Sequence, residues 1–163
     1  MKKLSWLVPL VGLLVGGCGG GDGLRATGSV RLTVHQAGQP DGRTDFTLPA
    51  DTFVDPPPGV GVGFYGTCRR VGGTWSVELT RAGGGEGLRS VTLSASSAGP
   101  SGVLTTTFLV GASTFSGSAT CTGGATSVGD RGVRINGGCT ALSASGDPRT
   151  VDASIDLTLD DCK

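Results

Sequence analysis

Residue types that support common chemistries are scarce in this chain of 163 residues. It contains a single histidine, His35, and its cysteines lack C-x-x-C spacing, so the sequence offers no evident zinc site and few options for acid-base catalysis. Aromatic residues make up only 5%, and basic residues do not outnumber acidic ones. Without a basic stripe, there is no electrostatic reason to expect nucleic acid as a partner.

The sequence also lacks an apolar run long enough to remain in a membrane. Its apolar run, residues 4–15, is shorter than the about 20 residues that a bilayer core requires. The run follows Lys2 and Lys3 and ends at the small pair Gly16-Gly17. This order of a cationic segment, an apolar segment and small residues predicts a signal peptide over 1–17.

The four residues Val15-Gly16-Gly17-Cys18 resemble the lipobox of bacterial lipoproteins, in which small residues precede an invariant cysteine. The resemblance implies cleavage before Cys18, a diacylglycerol on its sulfur and a membrane anchor, because two or more acyl chains hold stably where one does not. It also implies a location in the bacterial cell envelope. In a diderm host this is the outer membrane, because Gly19 stands at the position where an aspartate marks retention in the inner membrane. The open alternative is an ordinary signal peptide cut after Gly17 or Gly20.

The remaining 146 residues, 18–163, have the length of one domain. We expect a lipidated cysteine and a flexible glycine-rich tether over 18–27, followed by a single extracytoplasmic domain over 28–163. Two lysines leave with the signal, so the net charge falls to about −2. Lys163 is then the only lysine left, which argues against a polybasic membrane patch.

The chain has five cysteines, which become an even set of four if Cys18 carries lipid. An even set in an oxidising compartment predicts two disulfides, with three connectivities open. We favour Cys121 with Cys139, which bracket a glycine-rich loop, and Cys68 with Cys162, which would staple the end of the chain to an early strand. The cysteine count thus supports lipidation independently of the lipobox.

Alternation of apolar and polar residues runs through most of the domain and predicts β-strands. The clearest strand is the last, in which Val151, Ala153, Ile155, Leu157 and Leu159 alternate with polar residues. With short turns and no convincing helix, the pattern predicts an all-β fold, an antiparallel β-sandwich or flattened barrel of about 8 or 9 strands. Trp75, on the apolar side of its strand, is expected to be buried; the alternative is a ligand-stacking surface.

Two motif-like segments carry little chemistry. Residues 61–66 match G-x-G-x-x-G, but they lead to another strand rather than to the helix that a dinucleotide site requires. We expect no cofactor, and we interpret these glycines as allowing a bulge or close strand contact. The segment 115–119 lacks the flanking glycines and helix of a nucleophile elbow.

Charged residues offer four weak candidates. His35 lies on the polar side of its strand, where an exposed side chain is favoured over a catalytic base. Asp152, Asp156 and Asp160 share a strand face but are about 13 Å apart, which predicts a solvated face rather than an ion site. A third group of carboxylates could bind calcium: Asp41, Asp45, Asp51 and Asp55. A fourth group could bind an anionic partner: Arg69, Arg70, Arg81 and Arg89. For both groups ordinary surface roles are favoured.

Beyond the lipobox, residues 66–68, 115–120 and 155–159 ahead of Cys162 resemble the mycobacterial lipoprotein antigen family. The resemblance implies a Cys68–Cys162 bridge and a surface-exposed, non-enzymatic role. The first functional hypothesis is therefore a non-catalytic envelope lipoprotein that binds a protein, a glycan or a small apolar ligand, or acts structurally. The alternatives are a lipid-anchored hydrolase and an enzyme inhibitor that presents the loop 55–61 or the loop 123–131.

Overall fold

The computed structural model describes residues 23–54, 64–81, 87–97 and 102–163, which form one antiparallel sheet of ten strands. The predicted all-β class is confirmed. No helix within these ranges is long and apolar enough to cross a membrane. The strands are β1 (Arg25–His35), β2 (Gly42–Phe53), β3 (Phe64–Val71), β4 (Thr74–Arg81), β5 (Leu88–Ala95), β6 (Leu104–Val110), β7 (Ser113–Gly117), β8 (Cys121–Val128), β9 (Gly132–Ala144) and β10 (Asp147–Asp160).

The sheet curls until its two edge strands approach each other. Its strand order is β2-β1-β10-β9-β7-β6-β5-β4-β3, with β8 paired to β9 next to β7. The edges are thus β2 and β3, yet the rings of Phe46 in β2 and Phe64 in β3 lie 4.6 Å apart. The apolar side chains therefore face inward into one shared core, in the curled half-barrel form.

The end of the chain helps to close the curled sheet. Cys162, just beyond β10, forms a disulfide with Cys68 in β3, with a Cα–Cα distance of 4.8 Å. Lys163 adds backbone hydrogen bonds: its N–H donates to the Cys68 carbonyl at 3.0 Å, and its carbonyl accepts from the Arg70 N–H at 3.1 Å. The chain end after β10, the third strand in the order, is thereby joined to the edge strand β3.

Alternation along the strands builds the core as expected. In β10 all five apolar residues of the pattern are buried, and in β4 Trp75 retains only 4% of its exposure. Because aromatic residues are few, aliphatic side chains fill most of the interior. The largest fully buried side chains are Phe46, Phe108, Phe115, Leu32, Leu48, Leu79, Leu93, Leu104, Ile135, Leu142, Ile155 and Leu157.

Two boundaries differ from the sequence prediction. The first strand starts at Arg25, inside the stretch predicted as tether, because Leu24 and Ala26 are buried in the core. The predicted last turn at 147–148 also belongs to a strand, since the turn falls at 145–146, where Gly146 has a φ of 76°.

The segment 113–131 is organised differently from its prediction. One strand was expected over 115–122 and a loop over 123–131, but β7 ends at Gly117 and β8 extends to Val128. Both strands run antiparallel to β9, β7 at Ser143 and β8 along Gly132–Cys139. The break faces an irregularity in β9, where pairing with β10 shifts between Cys139 and Leu142.

The curled sheet has two ends, which we call proximal and distal. The proximal end holds Gly23, the β3–β4 turn at 72–73, the β8–β9 turn at 129–131 and the chain end at 161–163. The distal end holds the β1–β2 loop at 36–41, the β6–β7 turn at 111–112 and the β9–β10 turn at 145–146. The functional features below are located by these two ends.

Candidate functional site

The structure pairs all four cysteines of its described part as the sequence analysis favoured. Besides Cys68–Cys162, Cys121 in β8 is bonded to Cys139 in β9, directly opposite it in the register, with a Cα–Cα distance of 4.0 Å. The buried Thr106 hydroxyl lies 3.4 Å from the Cys139 sulfur. Cys18, the fifth cysteine, lies outside the described residues.

A cluster of ionisable groups surrounds His35 at the distal end. Its Nδ1 lies 2.9 Å from Asp41 in the β1–β2 loop, and its Nε2 lies 3.1 Å from Asp152 in β10. His35 is the last residue of β1 and about one third of its side chain is exposed. The sequence predicted a plain exposed side chain; in the structure the side chain is only partly exposed and is held on both sides by carboxylates.

These contacts shift the titration of the cluster. The hydrogen bond to Asp41, and next that to Asp152, raises the pKa of His35, because both carboxylates favour the charged imidazolium. The pKa of Asp152 is lowered, first by the Ala141 N–H and then by His35. With a carboxylate on each ring nitrogen, His35 has no free nitrogen to act as a general base, so the arrangement is that of an ionic clamp.

Asp152 also fixes the irregularity in β9. Its Oδ1 accepts the Ala141 N–H at 2.8 Å, while its Oδ2 lies against His35. Ala141 has a φ of 52°, a left-handed backbone conformation that costs free energy in a non-glycine residue. One carboxylate therefore connects the end of β1, β10 and the bulge of β9.

An open depression of about 520 Å³ lies next to this cluster on the outer face of β2, β1 and β10. Its lining combines two arginines, Arg31 and Arg43, with Asp45, Asp152 and hydroxyl groups. Thr47 donates to Asp45 and His35 pairs with Asp152, so both carboxylates have partners. A shallow polar surface with charges of both signs suits a polar ligand such as a glycan or a protein segment better than an apolar one.

A second polar cluster joins β7 to the start of β10. Asp147, only 9% exposed at its side chain, accepts from Arg149 and from the Ser113 hydroxyl. These hydrogen bonds, that of Arg149 first, hold the pKa of the Asp147 carboxyl well below its usual range. The Arg149 guanidinium also lies 5.7 Å from the centre of the Phe115 ring. Every group here has an internal partner, which indicates a structural role.

Other predicted groupings are separated in space. Arg69 and Arg70 lie towards the proximal end of β3, and Arg70 stacks 5.4 Å over the Trp75 ring. Arg81 pairs in register with Phe64 at the other end of β3, so the four arginines proposed for one anionic patch do not meet. Asp156 pairs with Arg134 on the exposed face of β10.

The calcium alternative is also weakened. Asp41 contacts His35 and Asp45 contacts Thr47, while Asp55 and the side chain of Asp51 lie outside the described part. Across the described ranges, no group of three or more histidine, cysteine, aspartate or glutamate side chains is arranged to hold a metal ion.

Sequence reasoning did not find the His35 cluster because its members are far apart in the chain. Asp152 is 117 positions from His35, and only the pairing of β1 with β10 brings them together. Asp41, in contrast, is six positions from His35, and an acidic residue across a short hairpin loop was a detectable signal. Asp147 and Arg149, two apart on one strand face, carried a similar local signal.

No family model, curated protein or solved structure matches this chain significantly. The resemblance to the mycobacterial lipoprotein antigen family and to bacterial lipoprotein signals stays a prediction from the sequence.

Proposed function

We propose that this chain is a lipid-anchored lipoprotein of the bacterial cell envelope whose β-domain is a non-catalytic, extracytoplasmic module for binding or structural interaction. The observation that carries the proposal is the use of the cysteines. The domain pairs Cys68 with Cys162 and Cys121 with Cys139, which leaves Cys18 as the fifth cysteine. Stable disulfides belong to oxidising compartments, and lipidation accounts for a fifth cysteine that ends a lipobox-like segment.

A binding role is supported by the outer face of β2, β1 and β10. Arg31 and Arg43 line the open depression there, and hydroxyl groups surround them. The polar lining favours a glycan or a protein segment over a small apolar ligand. Binding of isolated envelope polysaccharide should weaken in the double variant Arg31→Ala/Arg43→Ala but not in Arg89→Ala, a matched exposed arginine on β5.

The lipid-anchored hydrolase remains the second candidate, because ionisable groups with shifted pKa values lie beside that depression. The engagement of both His35 nitrogens argues against it. Ester and glycoside substrates should therefore be turned over equally, and only at background rate, by wild type and His35→Gln. A loss of measurable turnover in His35→Gln would favour the hydrolase.

One of the two loops that an enzyme inhibitor could present is not a loop in the structure. Most of 123–131 is strand β8, hydrogen-bonded to β9, so it does not protrude as a loop. The other loop, 55–61, lies outside the described residues.

Lipid attachment is tested by intact-mass analysis of the protein from membrane fractions. Wild type and the control Gly19→Ala should carry diacylglycerol on Cys18 and no free thiol. Cys18→Ala should lose the lipid and leave the membrane fraction. An unmodified Cys18 in wild type, or free thiols at Cys121 and Cys139, would overturn the proposal.

A further inference from the structure

Exposed aliphatic side chains are concentrated at the proximal end. Four large hydrophobic residues of the described part are exposed, and three of them are valines: Val71 at 72%, Val103 at 57% and Val128 at 43%. Val71 ends β3 before the 72–73 turn, and Val128 ends β8 before the 129–131 turn. Val103 precedes β6 and lies beside Ser96, the residue after β5, which places it at the same end.

The described part of the chain also begins at this end. A depression of about 140 Å³ is lined by Gly23, Cys68, Arg69, Asp161 and Lys163, so the first described residue lies near the end of β3. Asp161 pairs with Arg131 in the β8–β9 turn. Gly23 thus lies near the part of β3 that precedes Val71 and near the chain end that contacts the β8–β9 turn.

The connection to Cys18 is short. Five residue steps separate Cys18 from Gly23, and a fully extended chain spans at most about 18 Å over that number. The headgroup region of a bilayer adds about 5 to 7 Å on each side of the hydrocarbon core. A lipid on Cys18 would therefore keep the proximal end within contact distance of the membrane surface.

We propose that the proximal end is a lipid-contacting surface, in which Val71, Val103 and Val128 reach the interfacial region of the membrane that anchors the protein. This inference rests on the proposed lipidation of Cys18. Arg69 and Arg70, both exposed next to Val71, are positioned to bind lipid phosphates.

A lipid surface fits these features better than a second copy of the chain does. Val71 and Val128 end two different strands and Val103 precedes a third, so these side chains are not the continuous face of one strand or of one neighbouring strand pair, as expected for a protein interface. Single apolar side chains at strand ends, with arginines next to Val71, suit the mixed polar and apolar interfacial zone. The depression at the distal end of β1 would then face away from the anchoring membrane.

The test uses the lipidated full-length protein in vesicles of phosphatidylethanolamine and phosphatidylglycerol. Tryptophan is introduced by Val71→Trp or Val128→Trp, and emission is compared between vesicles with brominated and ordinary acyl chains. Bromine quenches indole at the interface, so, after subtraction of the Trp75 emission measured in wild type, we expect the emission of the introduced tryptophan to be about twofold lower in brominated vesicles for both variants. The matched control is Tyr65→Trp, an exposed aromatic position at the distal part of β3.

The control and wild type, whose Trp75 is buried, should show no comparable quenching. Circular dichroism and the absence of free thiols verify that each variant is folded. If the mass shows lipid on Cys18 and quenching at residue 71 is no greater than at residue 65, the proposal of a lipid-contacting surface is overturned and the proposed function is not. An unmodified Cys18 would overturn the proposed function and this inference together. Dimers crosslinked through residue 71 would overturn the lipid contact and assign the surface to a second copy of the chain.

Discussion

At the scale of single residues, the ionic clamp of His35 has the clearest physical consequence. The imidazole lies between Asp41 and Asp152, and the raised pKa means that the folded protein binds this proton more tightly than the unfolded chain does. A group of this kind contributes stability that is fully present below the unfolded pKa of about 6.5 and is lost as the pH rises through the folded value. The β1–β2 loop should therefore be held most firmly in mildly acidic conditions.

His35→Gln should consequently destabilise the domain in a pH-dependent way. We expect the difference in urea midpoint between wild type and variant to be larger at about pH 5.5 than at about pH 8.5, because only the imidazolium binds both carboxylates. Gln39→Ala, a neutral change in the same loop, should show no such trend. A wild-type-to-variant difference that is constant across this range would contradict the clamp.

Thr106 carries a buried hydroxyl that, within the described part of the chain, contacts the two sulfur atoms of a disulfide. Its Oγ1 lies 3.4 Å from the Cys139 sulfur and 3.8 Å from the Cys121 sulfur, and the residue is fully buried. Disulfide sulfur is a weak acceptor, so the hydroxyl recovers little of the hydration that it lost on burial. Thr106→Val, which keeps the shape, should change the free energy of unfolding by about 1 kcal/mol or less, towards greater stability.

Chemical denaturation of Thr106→Val checks this prediction. The matched control is Thr105→Val on the exposed side of the same strand, where a change within about 0.5 kcal/mol is expected. A loss above about 2 kcal/mol in Thr106→Val would mean that the hydroxyl makes a strong hydrogen bond.

At the scale of elements, close contacts around Gly66 explain why β3 has a glycine at this position. A methyl group added at this position would approach the Glu78 carbonyl oxygen to 2.1 Å and the Val54 side chain to 2.9 Å. The interpretation of the 61–66 glycines as allowing close strand contact is therefore supported at Gly66, whereas residues 61–63 lie outside the described part.

Gly66→Ala should destabilise the domain by about 1 to 3 kcal/mol, because overpacking must push β3 away from β4 and from Val54. Gly42→Ala in β2 is the matched control, since a methyl group there meets only ordinary contacts at 3.7 Å or more. Thermal unfolding of both variants measures the difference. Equal melting temperatures for the two would contradict the close contact.

The strands that follow strict alternation could be predicted from the sequence, and the interrupted ones could not. β4, and β10 from Val151 onward, bury every second residue, so period-two patterning defines them. The break between β7 and β8 lies opposite the bulge of β9 at Ala141, whose N–H donates to the carboxylate of Asp152. The His35 cluster likewise depends on the pairing of β1 with β10, a long-range register that no local pattern of the sequence contains.

At the scale of the whole molecule, closure of the curled sheet relies on contacts between elements that are not neighbours in the strand order. The Phe46–Phe64 ring contact joins the two edges in the core. At the proximal end the closing contacts are the Cys68–Cys162 disulfide and the backbone hydrogen bonds of Lys163. The Cys121–Cys139 disulfide, in contrast, joins strands that are already adjacent.

The two disulfides should therefore differ in their effect on stability. Their cysteines are 94 and 18 positions apart in the sequence, and in the chain-entropy model loops of these sizes contribute about 4.7 and about 3.2 kcal/mol. Cys68→Ala/Cys162→Ala should lower the urea midpoint more than Cys121→Ala/Cys139→Ala, with each pair serving as the control for the other. Amide exchange at Arg70 and Lys163 should accelerate only in the first variant, because the Arg70 N–H donates to the Lys163 carbonyl and the Lys163 N–H to the Cys68 carbonyl, and both bonds depend on the chain end staying beside β3. The reverse order of midpoints, or equal exchange at Arg70 in both variants, would show that the sheet stays closed without the Cys68–Cys162 bridge.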